Sequence, residues 1–230
     1  MTYHIGIEDI EPGNWVAWVF EWPGCYARGA TREAAIDQAP QAIEELETRL
    51  YQSSFVTEAP GPHIEVVVAE EFRSFSSSSD YIVNAFFEND KMPLTEREVE
   101  YARHLLSLNR RDLEATVLGL AAGVLDTTIP GEVRDNIRGI LRHIGTAEWW
   151  YWDRLGLAFP RDQRSDDVFT LLSKVREFTL VRLPELIGGE RTTVRSGETW
   201  SFRKLVRRAI WHERVHTLQI GRYLQSGMFV

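Results

Sequence analysis

The sequence predicts an α+β fold: a small N-terminal domain in the order β-β-β-α-β, followed by an all-α four-helix bundle. Three observations carry this. Alternating and β-branched segments are concentrated in the first 70 or so residues, whereas beyond Leu94 the apolar residues recur at helical spacing. Turn and breaker residues separate the segments in both parts. The charge also divides: residues 1–90 hold 16 acidic and 4 basic side chains, residues 91–230 hold 18 and 22. The expected organisation is a domain over 1–75, a linker with one strand-like run over 76–91, and the bundle over 92–230.

Residues 3–8 alternate apolar with small or polar side chains, and 15–20 are aromatic and β-branched, so both read as strands. Glu11-Pro12-Gly13-Asn14 between them is turn chemistry and makes a hairpin. After the turn at Trp22-Pro23-Gly24, residues 25–28 form a third strand. Thr31 stands at the N-cap of a helix whose apolar stripe is Ala35, Ala39, Ala42, Ile43, Leu46 and Leu50, with a kink expected at Pro40. Pro60-Gly61-Pro62 ends that region before a fourth strand at 64–68. Residues 73–80, rich in serine, read as linker. The strand-like run from Tyr81 to Phe87 is assigned to neither side. Four helices follow over about 95–121, 131–155, 166–187 and 200–225, delimited by Pro130-Gly131, Phe159-Pro160 and Gly188-Gly189.

The composition excludes several classes. With 43% hydrophobic residues and eight Trp the chain has material for a real core, which excludes disorder. No apolar run approaches a membrane span, and residues 1–10 lack the basic start and apolar stretch of a secretory leader, so a cytoplasmic protein is expected. An N-terminal part at net −12 argues against a grip on a phosphate backbone. The excess of Arg over Lys, 23 to 3, reads as a codon-composition effect. Cys25 is alone, so a metal, if held, is held by His and carboxylates.

Of six histidines, three matter. His212 and His216 are four apart on the last helix, on the face of Leu205, Ala209, Ile220 and Tyr223, and so point inward one turn apart. His143 lies between Ile140 and Ala147 on the apolar stripe of the second bundle helix. Three inward imidazoles on two facing helices are the geometry of a metal site in a bundle core. A single inward His is ordinarily a core residue satisfied by a hydrogen bond, but two at ligand spacing are costly to desolvate together unless a cation holds both. His212-Glu213-Arg214-Val215-His216 is also a literal H-E-x-x-H, in which a zinc peptidase would use Glu213 as general base. After His216 only 14 residues remain, with no His, Asp or Glu for a third ligand, which argues against a peptidase. Glu213 is expected at the edge of the site, near the metal or facing solvent. Glu148 and Glu213 are the catalytic candidates, no organic cofactor is expected, and the run Trp149-Trp150-Tyr151-Trp152 reads either as substrate wall or as core and interface.

Two resemblances accompany these residues. Gly13-Asn14-Trp15-Val16-Ala17, Pro23-Gly24-Cys25 and Gly29-Ala30-Thr31-Arg32-Glu33-Ala34, in the order β-β-β-α-β over about residues 3–70, resemble the HicB-like family of antitoxin-type domains. This implies a small sheet covered by a helix and a protein partner, in that family a HicA-type ribonuclease; the helical region that follows departs from the DNA-binding segment many of its members carry. Leu141-Arg142-His143-Ile144 with Glu148-Trp149, then Gly197-Glu198-Thr199-Trp200, then Leu205, Ala209-Ile210-Trp211-His212-Glu213, His216-Thr217 and Gln219-Ile220 resemble the DinB (DinB/YfiT-like) superfamily over about residues 92–226. The resemblance implies a four-helix bundle, often a homodimer, whose metal triad maps onto His143, His212 and His216 and holds zinc, nickel or a similar divalent ion. Activities in that family include metal-dependent hydrolysis and thiol transfer or isomerisation on small molecules. Three imidazoles leave a tetrahedral ion one open position, where a water or a substrate thiolate can be activated. A metal-dependent enzyme of hydrolase or thiol-transferase type and a non-catalytic regulatory protein, with the HicB-like module on a metal-stabilised dimerisation bundle, both remain open.

Overall fold

The computed structural model describes residues 1–61, 63–78 and 81–226. The fold is mixed α+β, with an N-terminal sheet and a helical C-terminal part. It divides into two compact units: residues 1–94 with 188–207, and residues 95–187 with 208–230.

In the first unit, β1 (Thr2–Glu11) and β2 (Asn14–Val19) form the expected hairpin and β3 (Tyr26–Gly29) pairs antiparallel with β2. Helix α1 (Arg32–Gln52) then crosses over so that β4 (Glu65–Arg73) lies parallel to β1, giving the strand order β3-β2-β1-β4. Thr31 caps α1 as expected, its hydroxyl accepting from the Ala34 amide at 3.1 Å. Gly29 permits this tight entry, because a Cβ there would stand 2.3 Å from the Ala35 nitrogen. Pro40 lies inside α1, which runs on through it to Gln52. One face of the sheet, with Tyr3, Ile5, Ile7, Ala17 and Val19, packs on Ala35, Ala39 and Ile43 of α1. On the other face Glu8 is buried and fully engaged, accepting from Trp18 Nε1 (2.7 Å), the Ser74 hydroxyl (2.9 Å) and the Ala85 amide (2.8 Å).

The stretch expected to be linker is structured. β5 (Phe75–Ser78) pairs with β6 (Tyr81–Val83), and Glu88–Lys91 form a 3-10 turn; Ser79 and Asp80 lie outside the described residues. Residues 76–91 therefore go with the first unit, and so do 188–207, which the sequence places within the bundle. Within 188–207, Ser196 and Gly197, both at positive φ, turn a second hairpin of β7 (Thr192–Arg195) and β8 (Glu198–Ser201). Two buried cations tie this return segment to residues 84–90. Arg207 donates to Asp90 at 2.7 Å, and the fully buried Lys204 donates to the Asn84 carbonyl while holding Glu198 and the Thr199 carbonyl of its own segment.

The second unit contains α2 (Glu96–Val117), the short α3 (Ala122–Asp126), α4 (Ile137–Arg154), α5 (Val168–Arg182) and most of α6 (Phe202–Gln225), whose first six residues count with the first unit. Each helix is shorter than or shifted from its expected span where a cap or breaker intervenes. Gly119, at φ 77°, follows α2; Asn136 caps α4 by accepting from the Gly139 amide at 2.8 Å; Pro184 falls in a 3-10 turn after α5. Leu113, Val117, Leu125, Ile140, Ile144, Leu172 and Ile220 join all five helices in one core. Of the aromatic run, Trp152 is wholly buried and donates to Thr179 at 3.0 Å, Tyr151 and Trp149 are buried, and Trp150 is partly exposed.

Candidate metal centre

Helices α4 and α6 bring His143, His212 and His216 together, with one potential ligand atom from each lying within 4.8 Å of the others. Their rings meet edge to face, centroids 4.5 to 5.0 Å apart. A tetrahedral ion with metal–nitrogen distances of 2.0–2.1 Å sets its nitrogens roughly 3.4 Å apart. The Nε2 atoms of His143 and His212, 2.9 Å apart, are close to that spacing.

The surroundings select the tautomers. His216 Nδ1 faces Gln219 Oε1 at 2.6 Å, an acceptor, so the ring carries its proton on Nδ1 and keeps the Nε2 lone pair for a metal. Gln219 is itself held, donating to Glu132 Oε2 at 2.6 Å, and Tyr223 donates to the same oxygen at 2.8 Å. A carboxylate thus orients His216 through an amide, an arrangement common around metal sites. His143 Nε2 accepts from Arg134 Nη2 at 2.9 Å. Burial is the first reason that the His143 imidazole is pushed down to about 3, with Arg134 and His216 adding to it. Burial likewise holds His212 well below the ordinary imidazole range, reinforced by His216 and His143. Neutral imidazoles are the form in which a divalent ion is bound.

The loop that carries Glu132 and Arg134 is pressed onto α4. A Cβ on Gly139 would stand 2.0 Å from the Arg134 carbonyl oxygen, and Asp135 takes φ 67° to turn the chain back. This close approach lets one loop serve His143 directly and His216 through Gln219.

The two candidate carboxylates are placed differently from expectation. Glu213, expected at the site's edge or in solvent, is 1% exposed and accepts from Arg110 Nε and Arg176 Nη2, each at 2.7 Å. Glu148, also buried, receives Arg176 through Nε at 3.0 Å and Nη2 at 2.9 Å, and Arg110 at 3.3 Å. The arginines complete their bonding on backbone, Arg110 on the Leu172 carbonyl and Arg176 on that of Leu106. Burial alone would raise the Glu148 carboxyl, but the adjacent Arg176 and Arg110 bring it below the usual range. Two guanidiniums and two carboxylates form a neutral buried quartet, which explains the position of Glu213 without catalysis. The helical phase of α6 accounts for the difference: Glu213 is turned about 100° from His212, and in a helix surrounded by neighbours that direction is also interior.

The sequence places Tyr223 on the histidine face and Gln219 in the DinB-like pattern but gives neither a role at the site, and it does not single out Arg134 or Glu132. Gln219 and Tyr223 were legible as positions three and seven after His216 on the same helix. Glu132 and Arg134 lie in a loop with no periodicity to mark them.

In comparisons with family models, with curated proteins and with solved structures, nothing matches this chain.

Proposed function

We propose that the chain is a divalent-metal protein of the DinB-like type, a four-helix bundle in which His143, His212 and His216 hold one ion, zinc or nickel, and that it acts on a small molecule as a metal-dependent hydrolase or thiol transferase. The convergence of three imidazoles, with ligand atoms within 4.8 Å of one another, supports this reading above all else. A bound ion would supply Lewis acidity at its remaining position. The chain's own residues do the rest. Gln219 and Glu132 fix the ring of His216, and the buried Arg–Glu quartet holds α2, α4, α5 and α6 so that the imidazoles keep their spacing. Arg134, which donates to His143 Nε2 at 2.9 Å, would have to give up that nitrogen for an ion to be held there. The sheet covered by α1 fits the HicB-like reading of the N-terminal unit, as a module that binds a protein partner, and a homodimer belongs to the same proposal.

Titration of chelator-treated protein with zinc, followed by calorimetry and by elemental analysis of the dialysed product, tests the site. One ion per chain is expected, with more than about a hundredfold loss of affinity in each of His143→Ala, His212→Ala and His216→Ala. Equal affinity in the parent and all three variants would remove the reading. A metal-loaded protein inactive against both ester and thiol-conjugate panels would instead favour the regulatory function.

A further inference from the structure

Beyond the C-terminal half of α4 lies a cleft of about 490 Å³, within the range of small-molecule sites. Its floor is aromatic. Trp149 is fixed by donation from Nε1 to the Phe159 carbonyl at 2.9 Å and by packing on Leu171 and Val175, while Trp150 and Phe159 add partly exposed ring surface. Its charge is the reverse of the chain's: Arg154, Arg161 and Arg164 line it with a single acid, Asp153, which Arg154 holds at 2.9 Å, so Arg161 and Arg164 leave it net positive in a protein whose formal net charge is −8. Two of these arginines are laid on the indoles, Arg154 Cζ at 4.5 Å from the centroid of Trp150 and Arg164 Cζ at 4.6 Å from that of Trp149. Lys174 stands 5.1 Å over Phe159.

The N–H donors of a guanidinium lie in its own plane, the direction in which carboxylate or phosphate is recognised. An aromatic floor with arginines at the rim therefore offers an apolar face to a flat ring and donors to an anion beside it. From this juxtaposition of Trp149, Trp150 and Phe159 with Arg161 and Arg164, we infer that the cleft is a binding site for a small aromatic anion, a ring bearing a carboxylate or phosphate group. A hydrated inorganic anion alone would leave the aromatic floor uncovered, and a neutral ring would make no use of the charge of Arg161 and Arg164. Trp150 is seven residues beyond His143 on the same side of α4, roughly 10 Å along the axis at 1.5 Å per residue. The cleft is thus distinct from the three histidines and needs no metal.

The test uses the full chain after chelator treatment and again after zinc loading. Binding of 4-fluorobenzoate, 4-fluorophenyl phosphate and neutral 4-fluorobenzamide is followed by fluorine NMR line width, with circular dichroism on each variant. Saturable binding of one or both anions is expected, with or without zinc, the amide binding at least about tenfold more weakly. The double variant Arg161→Gln with Arg164→Gln should lose about tenfold or more for the anions, and Trp150→Leu should weaken anions and amide together. Comparison of anion with amide on the parent protein stands even if a variant fails to fold. Absence of anion binding up to about 10 mM, equal affinity for anion and amide, or anion binding unchanged in the folded arginine variant would overturn the inference, and a requirement for zinc would move the ligand to the histidine site.

Discussion

At the residue scale, the histidines are defined by the protons they do not carry. The folded chain holds His143 at about 3, against an ordinary imidazole value of 6.5, and His212 is displaced in the same direction. Between those two pH values the unfolded chain takes up a proton at His143 that the folded chain refuses. The contribution to stability is therefore complete above about 6.5, declines as the pH falls, and levels off below about 3. Metal-free protein is expected to melt at progressively lower temperature from pH 7 to pH 5, and His143→Gln to flatten part of that slope. Parallel profiles for parent and variant would show that the His143 ring is not held neutral by its burial.

At the element scale, the second unit is organised around charges rather than around apolar side chains alone. Arg110 of α2, Glu148 of α4, Arg176 of α5 and Glu213 of α6 each come from a different helix and meet with every side chain 8% exposed or less. Such a quartet contributes little net stability relative to a well-packed apolar core, but removing one member strands the rest. Glu213→Ala leaves Arg110 without its 2.7 Å partner and Arg176 with one carboxylate where it had two. A loss of about 3–5 kcal/mol is expected by denaturant titration, with metal stoichiometry retained in the fraction that folds. The chain is also expected to show no zinc-dependent cleavage of casein. Such cleavage in the parent, lost in Glu213→Gln while zinc remains bound, would restore the peptidase reading of the H-E-x-x-H motif.

At the scale of the whole molecule, chain order and spatial grouping disagree. Residues 188–207 belong to the unit built from residues 1–94, and helix α6 carries on from there into the other. Cutting the chain at residue 92, where the sequence suggests a boundary, removes Asp90 from the buried Arg207 and the Asn84 carbonyl from the buried Lys204. Each deletion leaves a buried cation short of a partner, a cost of several kcal/mol. Residues 92–230 expressed alone are therefore expected to be poorly folded, in contrast to the independence that charge contrast and a serine-rich stretch suggest. A sharp two-state melt of that fragment would show that the return segment is dispensable.

What the sequence by itself determined is local. The hairpin at Pro12-Gly13, the N-cap at Thr31, the helical stripes and the inward direction of His143, His212 and His216 follow from turn chemistry and from a period of 3.6 residues, and the structure places these elements within a few residues of where spacing sets them. Tertiary structure decided everything that depends on a distant partner. Glu213 stands in a literal H-E-x-x-H and Glu148 five residues after His143, yet which arginines they meet is set by helix packing. Arg134 reaches His143 because Gly139 admits a backbone carbonyl against α4, and Tyr81 and Asp90 are held because Glu198 and Arg207 meet them. Periodicity encodes the direction of a side chain from its own helix. It carries no information on which oppositely charged group, a hundred residues away, will be waiting there.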